Sequence, residues 1–136
     1  MKQGKRVKPT FPIEYRILIA PGFNEEGKEV VTRVAVRTVS EFTSFRYEIV
    51  VESAVSERTI HLDIRGLRAP QVSLPSSGPA VFETELPKLR GAYDVIVAKP
   101  NRETNEFSIT VSEKSVTVKK NPENKFVEIV TIEEEW

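Results

Sequence analysis

The sequence predicts an all-β fold, an antiparallel β-sandwich of about nine or ten strands. Three observations predict it. Apolar and polar residues alternate with period two through most of the chain, the pattern of strands wetted on one side. The alternating runs are filled by Val, Ile, Thr, Phe and Tyr, residues that suit a pleated, half-buried surface. Helical spacing is sustained nowhere, and Pro, Gly and Asn interrupt the runs at short intervals.

Taken in order, a first strand near residues 13–20 precedes Pro21-Gly22-Phe23-Asn24-Glu25-Glu26-Gly27, a turn-forming segment, and a long strand follows near residues 29–39. In Ser44–Glu52 the odd positions Phe45, Tyr47, Ile49 and Val51 are apolar. Thr59–Arg65 sets Ile60, Leu62 and Ile64 against His61 and Asp63. Further strands fall over Phe82–Leu86, Tyr93–Val97 and Glu106–Val111. Pro75-Ser76-Ser77-Gly78-Pro79 reads as a loop, and Pro100-Asn101 opens another. Asn121-Pro122-Glu123-Asn124 places Pro where a type I turn wants it and joins two final strands. The core expected from these phases is Tyr15, Ile17, Val34, Val36, Phe45, Tyr47, Ile49, Leu62, Phe82, Tyr93, Val95 and Ile109.

Leu89-Arg90-Gly91-Ala92-Tyr93-Asp94-Val95-Ile96-Val97 resembles the corner that enters strand F of immunoglobulin-like and fibronectin type III-like domains, where a tyrosine hydroxyl bonds back to the main chain. The resemblance covers residues 43–111. It implies that Thr43–Glu52 and Thr59–Arg65 act as strands B and C, Phe82–Leu86 as E and Phe107–Val111 as G. It departs from antibody domains, because Val95 stands where the second cysteine would be and the only tryptophan is Trp136. Such domains serve as adhesins, receptors, chaperones and enzyme appendages, so the resemblance implies no particular activity.

The 136 residues suit one domain, read as residues 11–136 behind a basic arm over residues 1–10. The arm carries Lys2, Lys5, Arg6 and Lys8; it can meet phosphate or lipid headgroups or stay solvated. No run approaches the ~20 apolar residues of a membrane span. Glu14 and Arg16 interrupt what would be the apolar part of a signal peptide, so the chain as written is expected in the cytoplasm, or outside the cell if a leader has been removed. With 20 basic and 20 acidic residues, bulk charge does not favour nucleic acid.

The absence of cysteine excludes disulfides, thiolate nucleophiles and Cys-ligated zinc. The single histidine, His61, lies two residues before Asp63, but strand neighbours at that spacing stand ~6.6 Å apart with parallel side chains. That geometry suits a solvated histidine better than a catalytic pair. Glu48 with Glu52, and Glu83 with Glu85, share strand faces without any sign that they oppose one another. Asn101–Asn105 lacks the aspartate spacing of a calcium loop, and the six scattered glycines build no phosphate cradle. No catalytic residue, cofactor or metal ligand is assigned.

What remains points to association. Phe23 sits in a polar loop and Phe42 in a link between strands, positions that anchor a partner or fold over an open end of the sandwich. Lys125–Ile132 is apolar on both faces, with Phe126, Val130 and Ile132 on one and Val127 and Ile129 on the other. A strand of that kind is covered on both sides, by the N-terminal hairpin or by a second subunit. The expected function is a non-catalytic binding or assembly module, working through strand edges and loops with a protein partner or a second copy. The alternative is a β-barrel that carries a small apolar molecule, and third an enzyme.

Overall fold

A computed structural model describes residues 12–43, 47–69 and 77–136. The basic arm, Phe45 and the start of the Pro75–Pro79 loop lie outside the described residues. Among the described residues nine strands follow one another: β1 (Tyr15–Asn24), β2 (Glu29–Phe42), β3 (Glu48–Ser56), β4 (Thr59–Arg68), β5 (Gly78–Leu86), β6 (Gly91–Ala98), β7 (Thr104–Val111), β8 (Val116–Lys120) and β9 (Val127–Val130). A single 3-10 turn, Glu133–Glu135, completes the described chain.

The strands form one mixed sheet in the order β8-β7-β6-β4-β3-β5-β2-β1-β9, nearly closed into a barrel-like shape. The sequence predicts two antiparallel sheets instead. Three pairings are parallel: β1 with β9, β4 with β6, and β3 with β5. Alternation reports which residues share a face, and is blind to the direction of the neighbouring strand. β3 and β4 form a direct hairpin, so the two segments matched to strands B and C lie side by side. The pairing of β3 with β5 rests on one residue pair, Glu48 with Val81. Five strands (β8, β7, β6, β4, β3) and four (β5, β2, β1, β9) therefore meet at a narrow link.

Inward residues from both groups pack into one cluster. Ile17 and Ile19 of β1 and Val34 and Val36 of β2 meet Ile60, Leu62 and Ile64 of β4, Val95 and Val97 of β6, and Phe107, Ile109 and Val111 of β7. Of the expected core, Ile17, Val34, Val36, Ile49, Leu62, Val95 and Ile109 are buried. Tyr15, Tyr47, Phe82 and Tyr93 pack against the same cluster from its margin, partly exposed.

Two local expectations change. Pro21 and Gly22 do not end β1, which continues to Asn24, with the turn at Glu25–Lys28. Proline is tolerated there because β9 pairs only as far as Leu18, leaving the rest of β1 an edge on that side. The second change concerns Phe126, which precedes β9 and so escapes its alternation. It faces the core with Val127 and Ile129, while Val130 faces out.

Candidate functional site

The residues expected to mediate association are dispersed over the structure. Phe23 sits near the tip of the β1–β2 hairpin, opposite Val30. Their phase is that of the core positions Ile17 and Ile19, but the hairpin runs past the end of the packed interior. The pair is therefore left 58% and 40% exposed. Asn24 braces the tip: its Oδ1 accepts from the Gly27 N–H at 2.9 Å and its Nδ2 donates to Glu85 at 2.9 Å. Beside the pair lies a shallow cleft of about 670 Å³ bordered by Glu29, Val30, Glu85, Leu86 and Lys88. With Glu25 and Glu26 in the turn, the surroundings are mainly acidic.

Phe42 is the last residue of β2, with its ring edge-on to Tyr47 at 5.0 Å. Both rings pack against the core, so Phe42 closes the wall near the β3–β5 link. Phe126 is 6% exposed and sits under the Lys99 ammonium, 4.8 Å from its ring centre. Lys99 in turn meets Glu14 and Glu103. These contacts tie the start of β1, the β6–β7 turn and the entry to β9 into one corner.

Val130 and Ile132 diverge. Val130 packs with Leu18 and Ala35 on the outer face of the sheet, and Trp136 folds back over them. Ile132 lies where the chain leaves the sheet and is half exposed. The outward side of β9 thus meets Leu18 and Ala35 of the β1–β2 hairpin together with Trp136. Sequence reasoning missed Trp136 because the triple glutamate before it reads as a solvated end.

Several of the described carboxylates are held in ion pairs. Glu48 pairs with Arg68 at 2.7 Å, Glu52 with Arg65 at 2.6 Å and Asp63 with Arg65 at 3.2 Å. His61 is exposed on the outer face of β4, between Ala54 and Ile96. Hydrogen bonds that the Lys99 ammonium donates to Glu14 and Glu103 raise its pKa, against some desolvation. Glu103 is lowered first by Asn101 and then by Lys99. Burial raises Tyr15. Among the described residues no three acidic or histidine side chains gather as a metal site, and no helix is long and apolar enough to cross a membrane.

No protein-family model matches the chain, and no curated protein or solved structure is significantly similar to it.

Proposed function

We propose that the chain is a non-catalytic protein-binding or assembly module whose contact surface is the tip of the β1–β2 hairpin. The observation that carries this reading is the cross-strand pair Phe23 and Val30, left exposed although both continue the inward phase. An aromatic anchor beside an apolar neighbour, held by a braced turn, is the composition of an interaction hot spot. The acidic residues around it favour a partner that brings basic groups. The filled interior favours this reading over a barrel that carries an apolar molecule, because the space such a ligand needs is taken by aliphatic side chains.

The test is affinity purification from native cells with the wild-type chain and a Phe23→Asp, Val30→Asp variant. A partner retained by the first and lost by the second, at equal thermal stability, supports the tip as the contact. Light scattering tells whether that partner is a second copy. Equal retention by both chains moves the contact elsewhere. A small apolar molecule found in native mass spectra would favour the carrier.

A further inference from the structure

The outer face of β9, β1 and β2 carries an unusual combination. Leu18, Ala35 and Val130 form an apolar strip, with Ala20 at its margin. Strand register places Arg16 opposite Arg37, Leu18 opposite Ala35 and Ala20 opposite Arg33. Outward positions on a strand recur every second residue, so the three arginines border the strip on the same face.

After Val130 the chain turns through Glu133–Glu135 and lays Trp136 on this strip. The indole Nε1–H donates to the Arg16 carbonyl at 3.3 Å. Arg37 Nε donates to the Trp136 main-chain oxygen at 2.7 Å, with its guanidinium 6.0 Å from the ring centre. Arg33 meets the Glu133 carboxylate at 3.1 Å. The face thus takes an indole, a carboxylate three residues before it, and the main-chain oxygen of the indole-bearing residue. The arginines suit all of these groups, since a guanidinium fork matches carboxylate and carbonyl oxygens and aromatic faces alike.

The attachment is a surface one. The turn buries none of its residues, Glu134 and Glu135 are exposed, and no residue beyond Val130 enters the sheet. A contact of this kind opens at the low-stability end of a protein's fluctuations. We propose that this face is a docking groove for acidic protein segments of the form Glu-x-x-Trp, and that residues 133–136 occupy it in cis as a plug that a partner segment displaces. The proposal concerns a face separate from the hairpin tip and does not rest on it.

The test uses a dye-labelled hexapeptide, Thr-Ile-Glu-Glu-Glu-Trp, copied from residues 131–136, and the full-length chain. Fluorescence anisotropy is expected to show saturable binding to a Trp136→Ala variant and about tenfold weaker binding to the wild type, whose own plug competes. Adding Arg33→Glu to Trp136→Ala should weaken the peptide about fivefold or more. A peptide with lysine as its first charged residue should recover that loss. Trp136 is the only tryptophan, so the wild type supplies a readout that needs no variant. An excess of unlabelled Thr-Ile-Glu-Glu-Glu-Phe should shift its emission toward that of a solvated indole. Absence of peptide binding to a folded Trp136→Ala chain overturns the proposal, as does equal binding to both chains or to the Arg33→Glu form. Should Trp136→Ala not fold, an unchanged wild-type emission at saturating peptide overturns it.

Discussion

The side-chain oxygen of Asn105 accepts from the main-chain N–H of Phe126 at 2.8 Å, and from its neighbour Val127 at 3.3 Å. Its amide nitrogen donates to the carbonyls of Asn124 and Thr104 at 3.0 and 3.2 Å. Asn105 is 4% exposed, on the inward phase of β7. A polar residue in that row gives the entry to β9 the hydrogen bonds that strand pairing does not provide there.

Replacing Asn105 with alanine leaves two buried donors without their acceptor. At ~1–3 kcal/mol for each such group, Asn105→Ala should lower unfolding free energy by about 2–6 kcal/mol. Urea titration checks this, with a fall in midpoint at unchanged slope as the expected outcome. A midpoint like that of the wild type would mean that water or a shifted loop replaces the amide.

Tyr93 provides a second test. The resemblance to an immunoglobulin-like corner implies a hydroxyl bonded to the main chain. Among the described residues that hydroxyl has no such bond, and the Arg58 guanidinium lies 4.8 Å over the ring. Tyr93→Phe should therefore leave stability within about 0.5 kcal/mol. Arg58→Ala should cost about 0.5–1 kcal/mol through the lost ring contact. A costly Tyr93→Phe with a neutral Arg58→Ala would restore the corner.

Stability should depend on pH through the Lys99 corner. The Lys99 and Tyr15 pKa values are raised, so their contribution is complete below the unfolded values near ~10 and is lost as pH climbs through the folded ones. The lowered Glu103 contributes above its unfolded value near ~4.3, and its share disappears as pH falls through the folded value. Thermal melts should thus decline on both flanks. Lys99→Met should remove the Lys99 share of the alkaline decline while leaving that of Tyr15, and should soften the acid one; unchanged flanks would rule Lys99 out as their source.

The β3–β4 hairpin carries local strain. Glu57 has φ of 55° in a two-residue turn between the paired Ser56 and Thr59. Only glycine, asparagine and aspartate adopt that backbone readily. Glu57→Gly should raise the thermal midpoint, by the equivalent of about 0.5–1 kcal/mol. A lower midpoint would show that flexibility gained in the unfolded chain outweighs the relief.

Strand positions and most core residues were legible because period-two patterning is written locally, as in Ile60-His61-Leu62-Asp63-Ile64. The direction in which β4 meets β6 was not, since either direction satisfies the same alternation. Phe126 was read by parity, yet its orientation is set by Asn105, which lies 21 residues away in sequence. Trp136 was unreadable for a related reason, because its partners Arg16 and Arg37 belong to the first two strands. The exposure of Phe23 depends on where the packed interior ends, a property of the whole sheet.

The parallel pairing of β1 with β9 also sets a timetable. Arg16 and its partner Glu128 stand 112 positions apart, so β1 leaves the ribosome long before the strand that shields its outer edge. At ~5–20 residues per second that interval lasts several seconds to tens of seconds. Throughout it, the nascent chain presents one open edge of the strand bearing Ile17, Leu18 and Ile19. Such an edge recruits whatever extended segment passes by. Slowing the completion of synthesis should therefore lower the yield of native protein even where the stability of the finished sheet is unchanged.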